Sequence, residues 1–276
     1  MSSETATVDY METGAGPVVV LIHASTSGAR QWRLLMTDLE DRYHLVAVNM
    51  MGYGGTPAWA EPRPQTLNDH VRAIMPALPG GGQKIHLVGH SLGGAVAMML
   101  AKQLGDRVEK LILLEPNPFY LLRDHGRDAA YAEIKAVSDD VRYKGDAGRW
   151  EEAAENFGDY WSRPGYWASL HDNLRASFIQ NLRNNYFEWE AVLDSDITLD
   201  DWRDALPEQT LVVSARNTTR PIVEIVELMR EACPAWKYME LPEGGHMAPM
   251  SHPQLVNPII ADYLDNGLDI GQRSSS

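Results

Sequence analysis

The chain has 276 residues, 44% hydrophobic and 22% charged, which is the composition of an ordinary globular protein and excludes a disordered or low-complexity class. Its net charge of −14, with no basic cluster to offset it, works against nucleic acid or an anionic membrane as a partner. Cys233 is the single cysteine, so an internal disulfide and a cysteine-based metal site are excluded. The polar first nine residues lack the pattern of a secretory signal and no apolar run is long enough for a bilayer, so the expected location is the cytoplasm.

Residues 6–12 alternate loosely and run into Thr13-Gly14-Ala15-Gly16-Pro17, which predicts an edge strand entering a hairpin. Residues 18–22 are a continuous Val/Leu/Ile run of the kind that fits a strand buried on both faces of a parallel sheet. Similar runs follow at 45–48, 85–88, 111–114 and 210–213, with a more amphipathic one at 236–241. Helical patterns separate them at 31–40, 66–78, 92–104, 221–232 and 254–264. Strands alternating with helices predict an α/β fold, a mostly parallel twisted sheet with helices on both faces.

One interval breaks the alternation. Residues 118–205 contain no strand-like run but several aromatic, charge-rich helical stretches, at 131–137, 149–161, 169–184 and 187–193, interrupted by Arg163-Pro164-Gly165. The reading is a helical cap, 118–205, inserted into a core made of 1–117 and 206–276 and placed at the carboxyl ends of the strands, where a lid would sit. Of its aromatics, Tyr120, Trp150, Phe157, Trp161, Trp167 and Trp189, most are expected in the cap's own core and one or two facing a ligand. Residues 269–276 read as a frayed tail.

The chemistry centres on Gly89-His90-Ser91-Leu92-Gly93, with a strand pattern before it and a small-residue helix pattern after it that ends at Gly105. A strand-to-helix turn this tight crowds the residues two before and two after its apex, and both are glycines, which lack the colliding Cβ. This is the nucleophile-elbow pattern Gly-x-Ser-x-Gly. It presents the Ser91 hydroxyl at a helix N-terminus, where free N–H groups and the helix dipole favour a forming anion. A serine needs a base to take its proton and an acid to hold that base. His246, in the glycine-rich loop Glu243-Gly-Gly-His-Met-Ala-Pro-Met-Ser-His252 between the last strand and the last helix, is the candidate base. His252 precedes Pro253 and reads as structural, and His90 would project beside Ser91.

With these motifs the sequence resembles the α/β-hydrolase superfamily over nearly the whole chain outside the cap. The elbow carries the resemblance together with His23-Ala-Ser-Thr-Ser27, Asn49-Met-Met-Gly-Tyr-Gly-Gly-Thr56 and Gly245-His246. The His23 segment is similar to the family's His-Gly-x oxyanion loop, with Ala24 where glycine is common, and Asn49 stands where an aspartate is frequent. The resemblance implies the backbone N–H groups of Ser25 and Leu92 as oxyanion donors, and a structural role for the His23 side chain. The acid departs from the common pattern, because Ser214-Ala-Arg-Asn-Thr-Thr-Arg-Pro221 has no carboxylate. Some branches of the superfamily carry the acid one strand earlier, where this chain has Leu114-Glu115-Pro116. A carboxylate ending an apolar strand needs a partner, because burying it alone is costly. Glu115 is therefore the expected orienter of His246, with Asn217 as the fallback.

The expected reaction is acyl transfer from a small, apolar carboxylic ester or lactone to Ser91 and then to water. Serine at the elbow argues against the aspartate-based epoxide hydrolases and haloalkane dehalogenases. No metal constellation, phosphate loop or dinucleotide fingerprint appears, so no metal and no cofactor are expected. Two other readings stay open: a cofactor-free carbon–carbon hydrolase or perhydrolase using the same residues, and a small-molecule receptor that binds without turnover.

Overall fold

A computed structural model describes residues 7–267. Seven strands, β1 (Tyr10–Thr13), β2 (Val18–Ile22), β3 (His44–Val48), β4 (Ile85–His90), β5 (Val108–Leu114), β6 (Thr210–Ala215) and β7 (Lys237–Leu241), form one sheet in the order β1-β3-β2-β4-β5-β6-β7. Every neighbouring pair is parallel except β1 with β3. The strand runs sort their side chains by period two. Val18, Val20, Ile22, Leu87, Leu111 and Leu113 enter one core layer, whereas Val19, Leu21, Val88, Ile112 and Leu114 enter the other. Each such side chain contributes roughly 1.5–3 kcal/mol on full burial, and a strand apolar on both faces is stable only between two helical layers.

The helices are α1 (Arg33–Leu39), α2 (Leu67–Ile74), α3 (Leu92–Leu104), α4 (Tyr120–Asp124), α5 (Asp128–Asp146), α6 (Trp150–Trp161), α7 (Tyr166–Ser169), α8 (Asp172–Leu193), α9 (Leu199–Ala205), α10 (Arg220–Ala232), α11 (Ala248–Ser251) and α12 (Pro253–Asn266). Side chains of α1 and α12 join the layer of Val19 and Leu21, and those of α2, α3 and α10 join the opposite one. Helices α4 to α9 fill the interval between β5 and β6 as a helical insertion. No helix among the described residues is long and apolar enough to cross a membrane.

Two expectations fail, each for a physical reason. The turn at 13–17 does not close a hairpin: β2 is buried throughout and has both edges occupied by β3 and β4, so β1 pairs antiparallel with β3, Tyr10 opposite Val48. The helix expected to break near 185–186 is the single 22-residue α8. Its asparagines do not compete with their own backbone, because Asn184 donates to Gly52 O at 2.7 Å and Asn185 to Ser25 Oγ at 3.0 Å, both on the core. The expected tail at 269–276 lies outside the described residues, as does the start of the strand expected at 6–12.

Candidate active site

The order in which strands are added reverses between the parallel β2 and β4, since β3 lies on one side of β2 and β5 on the far side of β4. The carboxyl ends of strands at such a switch point leave a crevice. Ser91 follows β4 there, with φ 55° and ψ −120°, in the sharp turn that starts α3. The two flanking glycines are required by space. A Cβ on Gly89 would come within 2.7 Å of the Gly93 carbonyl carbon, and one on Gly93 within 2.7 Å of the Ile22 carbonyl carbon. Among the described residues the non-glycine residues with positive φ are Thr26, Ser91 and Glu115. Such backbone strain costs on the order of 1–3 kcal/mol per residue and persists only where the surroundings impose it. All three belong to this site.

His246 follows β7 in a loop whose Gly244 and Gly245 also have positive φ. Its Nε2 lies 2.9 Å from Ser91 Oγ and its Nδ1 2.7 Å from Glu115 Oε2, and all three residues are buried. Glu115 leaves the end of β5, where its carboxylate also accepts from the Ala215 N–H at 2.7 Å and the Thr218 hydroxyl at 2.6 Å. Those donors come from β6 and the loop after it, the segment that lacks an acid of its own. Asn217 stands away from the imidazole, its Oδ1 accepting from the Gly245 N–H at 3.0 Å. It holds the loop backbone, not the ring.

The ring of His90 points away from Ser91 Oγ. Its Nε2 donates to the His246 carbonyl at 2.8 Å, and its Nδ1 accepts from Gln31 Nε2 at 3.1 Å. Burial, aided by the neighbouring His246, holds His90 well below the ordinary histidine range, so it stays neutral as this pattern requires. Gln31 Oε1 in turn accepts from the Ala24 N–H at 3.1 Å. That leaves the next N–H, of Ser25, without an acceptor among the described residues, and the same holds for Leu92 at the start of α3. His23 lies beneath the loop, donating from Nδ1 to Ala24 O at 2.7 Å and accepting the Met50 N–H at Nε2, 3.1 Å away. Burial lowers its pKa to about 4.

Ser25, Ser91, Leu92 and His246 line a cavity of roughly 250 Å³ between the core and the helical insertion. Of the cap aromatics singled out from sequence, Phe157, Trp161 and Trp189 line it, whereas Tyr120 is buried in the core against the Trp202 indole. Trp161 lies over His246 with ring centroids 4.2 Å apart. The sequence reading missed the polar face of α8. Asn181, Asn184, Asn185 and Glu188, at spacing i, i+3, i+4, i+7, all meet the loops after β2 and β3. That spacing was the available signal. It missed as well Asn117, whose amide lies 3.4 Å from Ser91 Oγ.

A family model described as "Alpha/beta hydrolase family" matches residues 19–259. The chain belongs to the alpha/beta hydrolase family. Its relatives differ in the substrates their names give them. A putative carbamate hydrolase, RutD, of Klebsiella pneumoniae (strain 342) is 27% identical over 256 residues, covering 90% of this chain and 91% of the other. A 2-hydroxymuconate semialdehyde hydrolase of Pseudomonas sp. (strain CF600) is 25% identical, covering 92% and 88%. Among solved structures, a hydrolase from Pseudomonas aeruginosa PA01 superposes with a TM-score of 0.73 at 20% identity, covering 95% of this chain and 96% of that one. Likeness at that identity speaks for the fold, and this alpha/beta hydrolase is a hydrolase by family.

Proposed function

We propose that the protein is a serine hydrolase that cleaves a small, largely apolar carboxylic ester or lactone through an acyl-enzyme. The observation that carries this reading is the continuous hydrogen-bonded line from Ser91 Oγ through His246 to Glu115, at 2.9 and 2.7 Å. In the first step Ser91 Oγ bonds to the carbonyl carbon while its proton passes to His246 Nε2. The carbonyl oxygen becomes an anion held by the N–H groups of Ser25 and Leu92, and a donor so placed stabilises it by about 3 kcal/mol. The carbon–oxygen bond of the leaving alcohol then breaks, and the alcohol oxygen takes the proton from His246. Water repeats the sequence, gives its proton to His246 and releases the acid, with Ser91 recovering its hydrogen. Glu115 keeps Nδ1 as the protonated nitrogen throughout and stabilises the imidazolium.

The carbon–carbon alternative draws on the Pseudomonas relative, whose named substrate, a muconate, carries a carboxylate. Among the described residues no lysine or arginine lines the cavity to pair with one, which favours an uncharged ester. The test is labelling by an alkyl fluorophosphonate, read by intact mass, with p-nitrophenyl butyrate turnover measured in parallel. One adduct, lost in Ser91→Ala, and ester turnover are expected. An unlabelled wild-type protein would remove the serine mechanism, and labelling without ester turnover would favour the carbon–carbon reading.

A further inference from the structure

The mechanism leaves one buried acid unused. Glu188, in the last quarter of α8, is 2% exposed and lines the cavity. Its carboxylate accepts from the Tyr53 hydroxyl at 2.9 Å, from the Ser25 hydroxyl, and from Asn185 Nδ2 at 3.4 Å. All three partners are neutral, and no ion pair to Glu188 occurs among the described residues, although twelve arginine and lysine side chains pair with carboxylates elsewhere. A carboxylate desolvated without a counter-charge is costly, and burial accordingly raises its pKa to about 7. The hydroxyls of Tyr53 and Ser25 can turn to accept from an uncharged amide at this position, so the fold does not need the charge, and a role in the cavity is the better account of its presence.

The rest of the lining suits a cation. Phe157, Trp161, Tyr166, Phe178 and Trp189 line the same cavity, and aromatic faces attract a positive nitrogen. Among the described residues no lysine or arginine lines it, so no permanent positive charge repels such a group, and the protein's net charge of −14 draws cations toward it.

We propose that Glu188 and the surrounding aromatic rings form a subsite for a positively charged nitrogen carried by the substrate, an ammonium or quaternary ammonium group, whose charge compensates the buried carboxylate. The subsite deepens the ester reading, resting on it only for what the bound molecule undergoes next. It also makes anionic substrates poor ones, since a carboxylate entering the cavity meets a second carboxylate and no cation.

The experiment measures binding and not turnover, so it separates this proposal from the serine chemistry. Trp161 and Trp189 in the lining supply a fluorescence signal. The probes are phenyltrimethylammonium and its uncharged isostere tert-butylbenzene, titrated at pH 8 into the wild-type protein, Glu188→Gln and Glu188→Asp. The wild type is expected to bind the cation at least tenfold more tightly than the isostere. That preference should fall below threefold in Glu188→Gln and persist in Glu188→Asp, which keeps the charge. Equal binding of the two probes by the wild type would overturn the proposal, and so would an undiminished preference in Glu188→Gln. The wild-type comparison decides the matter even if a variant fails to fold. A protein that binds the cation but takes no phosphonate label would keep this subsite and lose the ester reading.

Discussion

Replacing Glu115 with glutamine changes one atom and reverses the logic of the site. The carboxylate at that position faces three donors: the Ala215 N–H, the Thr218 hydroxyl and His246 Nδ1. A glutamine has one acceptor oxygen, so its amide nitrogen must face one of those donors. The backbone N–H of Ala215 cannot turn away, and it retains the oxygen. The amide then faces Oε2's former partners, and the imidazole accommodates it by moving its proton from Nδ1 to Nε2. Nε2 so protonated cannot accept the Ser91 proton. Loss of the charge and the wrong tautomer together cost about 10⁴ in kcat when a triad's geometry is kept, about 5.5 kcal/mol of barrier at 1.36 kcal/mol per tenfold. The assay is kcat for p-nitrophenyl butyrate, with the rate of phosphonate labelling as a second measure and the melting temperature as a check on folding. Asn217→Ala is the control, since it removes only a tether to Gly245, and less than a tenfold loss is expected. A folded Glu115→Gln variant within tenfold of wild type, or an Asn217→Ala variant more impaired than it, would refute the reasoning.

Two further outcomes follow from the same geometry. Gly93→Ala places a Cβ against the Ile22 backbone, which cannot yield as a side-chain tip can, so a loss of at least about 2 kcal/mol in urea unfolding and a collapse of labelling are expected; unchanged stability would mean the turn has slack. Glu188→Gln is expected to gain stability relative to wild type as pH rises. The wild-type carboxyl is raised from 4.5 to about 7 by folding, so the stability it contributes is complete below pH 4.5 and is lost as pH passes 7, a change of about 3 kcal/mol that glutamine does not undergo. The buried His23 and His70, each lowered to about 4, destabilise the fold in the opposite direction as pH falls from 6.5 to 4, but they do so in both proteins and cancel in the difference. Urea titrations of the pair at pH 5 and 8 check it, and a difference independent of pH would contradict the burial argument.

Much of the fold is legible in the sequence because its determinants are local. Side-chain period and length separate the five apolar strand runs from the helices between them, and α3 begins and ends where Ser91 and Gly105 put it. The glycines around Ser91 are readable for the same reason: the atoms they make room for belong to a turn five residues long and to the strand beside it. Glu115 was legible only indirectly, through the missing carboxylate at 214–221, because it meets His246 across 131 residues of chain. The tertiary structure decided what local sequence does not encode. It gave β1 to β3 because both edges of β2 were already occupied, and it kept α8 continuous because the core satisfies Asn184 and Asn185. It also brought Glu188 of the helical insertion onto Ser25, 163 residues away, and the charge of a cavity is set by which side chains converge on it, a property of packing that no stretch of sequence carries alone.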